Sequence, residues 1–178
     1  MTSIRRNVTF WISLLLIGVA PVLTAGEAVS GQDAFEKLKG LEGTWQGTAQ
    51  GETEHEGEQG PTEVTHEFRV SANGSVVMET MSPGGEHEMI NMYHLDGEDL
   101  VLTHYCAGAN QPRMKMVEAD GKTLTFDFTG GTNLDPAKDG HIHAATIDFV
   151  DADTIESTWT PYYEGEPAGQ MAFRLTRR

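Results

Sequence analysis

His141 and His143 stand two residues apart at the start of a strand-like run, directly after the long loop from Gly130 to Gly140. At that spacing on a strand both side chains point to one face, so both imidazoles can reach a single ion. His104 and Cys106 repeat the arrangement on a face shared with Leu100 and Leu102, which marks that face as interior. His143 alternates in phase with Ile147 and Phe149. Parity therefore lets His104, Cys106 and His143 line one cavity, where imidazole and thiolate suit Zn²⁺, Cu or haem iron. The candidate metal ligands are His104, His141 and His143. The plainer reading is a small buried cysteine and histidines that satisfy a backbone carbonyl or a tyrosine.

A second group is polar. Asn110, Gln111 and Arg113 follow the flexible stretch Ala107-Gly108-Ala109. Arg113 is scarce positive charge in an acidic chain, suited to fix an anionic head group at a barrel mouth with Asn110 and Gln111 as neutral donors. Equally, these residues brace a loop, with Arg113 paired to a glutamate. Trp159, on a buried-looking face, completes the ligand-binding candidates His104, Cys106, Asn110, Gln111, Arg113 and His143. No Gly-x-Ser-x-Gly elbow, phosphate loop or dinucleotide fingerprint is present. The side-by-side Cys106 and His104 leave enzymatic activity an open question, because thiolate chemistry also needs exposure and a lowered pKa.

The elements that must position these residues read as strands. Only Gln32 to Leu41 has helical periodicity, with Asp33 as its cap and Phe35, Leu38 and Leu41 on one face. From Gly43 onward the pattern has period two. It is punctuated by Asn73-Gly74, Asp96-Gly97, Asp120-Gly121 and Glu164-Gly165, which are hairpin signals. The expected strands are 43–50, 62–71, 75–82, 87–95, 99–106, 112–118, 122–129, 141–150, 154–162 and 168–176. The connections leave no room for crossover helices, so the sheet must be antiparallel, and closure into a barrel removes its edges. The expectation is an all-β, ten-stranded, up-and-down barrel with one short N-terminal helix. Alternation places Trp45, Val76, Met78, Leu100, Leu102, Leu124, Phe126, Trp159, Met171, Phe173 and Leu175 among the inward residues.

Residues 1–28 read as a signal peptide: Arg5 and Arg6, the apolar run Phe10 to Ala20, then small residues at Ala25 and Ala28. The run is short of the ~20 residues of a spanning helix. The expectation is export to the periplasm or extracellular space, with residues 29–178 as one domain and no integral membrane segment after processing. Arg5 and Arg6, and no acidic residue, precede Ala25, which leaves 27 acidic groups against 10 of the 12 basic ones. Such a field repels phosphate backbones, which excludes nucleic acid as a partner. Glu52 to Glu58 read as a solvated acidic loop. With Cys106 the only cysteine, no intramolecular disulfide supports the fold.

Gly43-Thr44-Trp45 just after a short helix resembles the Gly-x-Trp opening of lipocalin-like (calycin) barrels. That resemblance implies an arginine of the last strand, Arg174 or Arg177, packed over Trp45. The longer stretch to Gly51 is similar to the opening of nitrobindin-like haem barrels, with Ala49 a departure and no histidine after His143. The segments Thr103 to Cys106, Asn110 to Met114, Gly140 to His143 and Phe149 to Asp153 resemble a family of exported bacterial lipocalin-like domains of unknown function. It implies fold and export and no reaction. Of three functions left open, the first is a barrel that binds a small apolar or amphipathic ligand. The second is a His/Cys-lined metal or haem site with enzymatic activity, and the third a structural or partner-binding module with a filled core. No cofactor is specified.

Overall fold

The computed structural model describes residues 29–53 and 57–178. Residues 1–28, the expected signal peptide, lie outside them. Helix α1 (Gly31–Lys39) is capped by Ser30, whose Oγ accepts the Asp33 N–H at 3.1 Å. The cap is therefore Ser30 and not Asp33, one turn earlier than the periodicity suggested. Asp33 instead accepts from the Ser30 hydroxyl at 2.6 Å, a reciprocal pair that favours the first turn. Ala34, Phe35 and Leu38 are buried, and they join Trp45 in one core where α1 meets β4 and β5.

Eleven strands follow: β1 (Gly43–Thr53), β2 (Gly57–Ser71), β3 (Val76–Met81), β4 (Met89–Asp96), β5 (Asp99–Tyr105) and β6 (Gln111–Ala119), then β7 (Thr123–Thr132), β8 (His141–Phe149), β9 (Thr154–Tyr163), β10 (Glu166–Pro167) and β11 (Gln170–Arg177). Each pairs antiparallel with its neighbour from β1 through β9; β9 then pairs with β11 and β11 with β1. The short β10 lies on the same edge of β9 as β11, so the two act as one interrupted strand. The result is a closed, ten-stranded antiparallel barrel. Closure pairs every edge, which is why so many short strands form one stable sheet. β1 and β2 run further than expected, pairing Glu52 with Glu58 and Thr53 with Gly57, so the ladder extends to both ends of the acidic run.

The hairpin turns form where the Gly-containing dipeptides stand. At Asn73-Gly74 φ is 54° and 84°, and at Glu164-Gly165 it is 51° and 82°, the left-handed geometry that tight turns need. Gly47 answers a different demand. A Cβ there would lie 1.9 Å from the Arg174 carbonyl oxygen, so β1 and β11 approach too closely for a side chain.

Trp45 is fully buried at the α1 end of the barrel, and its indole N–H donates to Leu41 O at 2.7 Å. Arg177 lies 4.4 Å over the Trp45 ring and donates to Glu42 O and Gly40 O. Of the two arginines considered, Arg177 takes this place; Arg174 pairs with Glu156 instead.

The inward face of β3 differs from expectation. Val77, Glu79 and Met81 are buried, whereas Val76 and Met78 are half-exposed. Both faces of this strand carry apolar residues, and Glu79 made its own face look like the solvent side. The carboxylate is inside because the barrel supplies partners for it.

Candidate functional site

Glu79 is 4 % exposed and is held by three polar side chains from the two adjacent strands. His66 (β2) places Nδ1 2.7 Å from Glu79 Oε1. Asn91 and Tyr93 (β4) each donate to Glu79 Oε2 at 2.8 Å. Asn91 also reaches β5, its Oδ1 lying 2.7 Å from His104 Nδ1. The register makes this possible: His66 is opposite Met81, Glu79 opposite Asn91, and Asn91 opposite His104, so consecutive strands lay these side chains side by side on the inner face.

The network determines its own protonation. Burial by itself would raise the Glu79 carboxyl, but His66, through hydrogen bond and charge, with Asn91 and Tyr93, outweighs burial and holds it below its ordinary value. Tyr93 is pushed well above the usual phenol range by burial, by the charge of Glu79 and by the hydrogen bond it donates. An ionised carboxylate only accepts, so Asn91 turns its amide NH₂ toward Glu79 and its oxygen toward His104. His104 Nδ1 must then carry the hydrogen. Burial lowers the His104 pKa from 6.5 to about 4, against the opposing charge of Glu79, so the ring is neutral at pH 7. Nε2 is left as a bare lone pair. Neither His104 Nε2 nor His66 Nε2 has a hydrogen-bond partner. Each such buried group costs about 1–3 kcal/mol.

Beside this network lies an apolar cavity of about 210 Å³. Its floor is formed by the buried Met81, His104, Trp159 and Phe173. Its rim is made by half-exposed Met89, Cys106, Ile142, Pro161 and Met171, with Gln170 exposed. Trp159 lies 5.7 Å from the His104 ring and Phe173 5.1 Å from that of His66, so aromatic cavity walls back onto both imidazoles.

The residues singled out in the sequence separate into three places. His104, Cys106 and Trp159 line the cavity, and the Cys106 thiol is free, its sulfur accepting the Gly108 N–H at 3.3 Å. His141 and His143 come together elsewhere, with His141 Nε2 3.1 Å from His143 Nδ1 and the His143 ring stacked on Tyr162 at 3.8 Å. His141 Nδ1 donates to Asp139 O at 2.9 Å. A bulge between Ile142 and Ala144 breaks the alternation, so Ile142, not His143, shares the inward face with Ile147. The expected convergence of His143 with His104 and Cys106 fails for that reason. Among the described residues, no group of three or more His, Cys, Asp or Glu side chains is placed to hold a metal ion.

Asn110 is buried and braces the loop before β8, donating to Gly140 O at 2.7 Å. Gln111 and the exposed Arg113 line a wide, separate groove of about 830 Å³ with Tyr105 and His94. Arg113 is thus not beside the cavity that holds His104. Sequence reasoning missed His66, Glu79, Asn91 and Tyr93. The available signal was parity: Asn91 and Tyr93 alternate in phase, as do His66 and Phe68.

Fold and site together define a closed β-barrel with a carboxylate-centred polar network against a small apolar cavity. No family model matches the chain, and no curated protein matches it. Among solved structures, a protein of unknown function of the DUF3598 family from Nostoc punctiforme superposes with a TM-score of 0.55 at 13 % identity. The match covers 79 % of this chain and 49 % of that one, so the chain spans about half that protein's length. At this identity the likeness shows the fold alone.

Proposed function

We propose that the barrel is a binding protein for a small, mainly apolar molecule held in the cavity walled by His104, Trp159 and Phe173. The observation that carries the reading is an apolar cavity of about 210 Å³ walled by methionine and aromatic side chains and by the buried ring of His104. Apolar pockets with a few fixed polar groups are the usual form of small-molecule sites. The size sets the scale: a dry cavity of about 150 Å³ accepts benzene. Drug-sized ligands need pockets of about 300 Å³ or more, so a haem is too large for this cavity. The rim methionines Met89 and Met171 are flexible enough to admit a ligand. The Arg177–Trp45 stack is the arrangement expected from the lipocalin-like resemblance and supports the same class of barrel.

The test is titration with toluene, followed by calorimetry and by Trp159 fluorescence. Saturable binding is expected, and Ile142→Trp, which fills the cavity, is expected to abolish it while the variant keeps the wild-type melting profile. Absence of toluene binding to the wild type would overturn the reading. The same proposal places the protein outside the cytoplasm, on the strength of residues 1–28. N-terminal sequencing of the native product should begin near Gly26 or Val29, and a retained Met1 would contradict export.

A further inference from the structure

The outer wall of the barrel carries a second recess, independent of the inner cavity. Its centre is one row of cross-strand partners: Met92 (β4) opposite Thr103 (β5), Thr103 opposite Arg113 (β6), and Arg113 opposite Gly130 (β7). Arg113 is exposed between the buried Pro112 and Met114, which fixes this row as the outward face. Gly130 brings no side chain, and a Cβ there would meet nothing within 4 Å, so β7 leaves open space in the row. Val76, His94 and Tyr105 extend the walls, and the groove measures about 830 Å³. Its charge is unusual for this chain, which has 27 Asp and Glu against 12 Lys and Arg. No Asp or Glu is among the described residues that line it. Among the described residues the Arg113 guanidinium has no ion-pair or hydrogen-bond partner; only its backbone oxygen is engaged, by the Thr129 hydroxyl at 3.2 Å. Other cations of the chain are paired: Arg174 with Glu156, Lys115 with Asp99 and Lys138 with Asp135. We propose that this groove binds a small amphipathic carboxylate, its anionic head on Arg113 and its apolar body on Met92, Val76 and the Tyr105 ring.

The chemistry follows from what the groove offers. A guanidinium presents a planar fork of donors that matches a carboxylate, and that pairing is stronger than a neutral hydrogen bond. Tyr105, 47 % exposed, and the half-exposed Val76 and Met92 supply an apolar surface beside it. The volume lies in the range of small-molecule clefts. An ammonium would meet the charge of Arg113, and a neutral molecule would leave that charge to water. A polyanion such as a nucleic acid would meet the net charge of −15 beyond the groove, whereas one carboxylate can be matched locally.

Three probes with one apolar body separate these cases on the wild-type chain: 2-naphthoate, 2-naphthamide and 2-naphthylmethylammonium. Fluorescence titration at neutral pH should show saturable binding of naphthoate. Its Kd should lie about tenfold or more below that of the amide, the worth of one charge-assisted hydrogen bond, with the ammonium weakest. Backbone amide NMR signals of Thr103, Arg113, Thr129 and Gly130 should shift with naphthoate. Excess toluene, the probe of the inner cavity, should leave naphthoate bound. Arg113→Gln should bring naphthoate down to the affinity of the amide and leave the amide unchanged. Thr103→Glu, which sets a carboxylate opposite Arg113, should do the same. Wild-type chain that fails to bind naphthoate, or binds the amide equally well, would overturn the proposal. Displacement of naphthoate by toluene would place it inside the barrel and overturn it too. Equal loss of acid and amide in Arg113→Gln would show that Arg113 only shapes the groove. A dimer in sedimentation equilibrium that Arg113→Gln dissociates would make a second copy the occupant and overturn the proposal. None of these results bears on the toluene test of the inner cavity, so the two readings fail separately.

Discussion

The side chain of Asn91 joins His104 to Glu79: its oxygen lies 2.7 Å from His104 Nδ1 and its nitrogen 2.8 Å from Glu79 Oε2. Because an amide has one donor end and one acceptor end, a charge on β3 decides which nitrogen of a histidine on β5 is bare. The residues belong to three consecutive strands, so the barrel's register transmits the constraint sideways, across the sheet.

Glu79→Gln keeps the shape of the side chain and removes one acceptor. The amide NH₂ can then face His66 only if that ring accepts at Nδ1 in place of donating, and facing Asn91 and Tyr93 it would oppose their donors. The expected loss is about 1–3 kcal/mol in urea unfolding, with urea midpoint lowered and slope unchanged. A loss below about 0.5 kcal/mol would mean that Glu79 is not the centre of the network.

Stability should fall on acidification well above the range where carboxylates titrate. Unfolded His104 binds a proton near its ordinary 6.5, whereas in the fold it does so only at about 4. Between those values the unfolded chain holds more protons, so lowering the pH favours unfolding, by about 3 kcal/mol in total for this group. Below about 4 this group adds no further loss. His143, lowered by partial burial and by the nearby His141 while Asp127 opposes, acts in the same direction. Glu79, held below its ordinary 4.5, adds a loss of the same sign at lower pH. The difference between wild type and His104→Phe, followed by urea unfolding from pH 7 to pH 4, isolates the His104 share. A pH-independent difference would refute the lowered pKa.

At the other end of the barrel, Trp45→Ala removes a fully buried indole together with its hydrogen bond to Leu41 O and the surface on which Arg177 rests. The expected loss is about 3–5 kcal/mol. Arg177→Ala should lose less, about 1–2 kcal/mol, because the guanidinium is replaced at Gly40 O and Glu42 O by water. Thermal melting compares the two, and an Arg177→Ala loss equal to that of Trp45→Ala would contradict this assignment.

Gly47→Ala tests the closure of the sheet. The new methyl group would meet Arg174 O at 1.9 Å, a backbone atom that cannot move without opening the β1–β11 ladder. Destabilisation of about 1–3 kcal/mol or more is expected, with faster amide exchange in β1 and β11 than elsewhere. Normal exchange in both strands would show that the strands can separate at no great cost.

The ten strands, the antiparallel order and most of the turns were legible because period-two alternation and Asn-Gly or Asp-Gly signals are local, each readable within one hairpin. Trp45 was legible too, as a large residue in phase with the first strand. The partners of Glu79 were not, since Glu79 on a strand with apolar residues on both faces gives parity nothing to choose by. A buried carboxylate becomes acceptable only when His66, Asn91 and Tyr93 arrive from two other strands. The bulge at Ile142–Ala144 was equally invisible, and that one extra residue removed His143 from the face it was expected to share with Ile147. Alternation along each strand was thus determined by the sequence alone. Register, bulges and closure belong to the tertiary structure, because they depend on which side chains the neighbouring strands bring alongside, and they decided which residues meet inside the barrel.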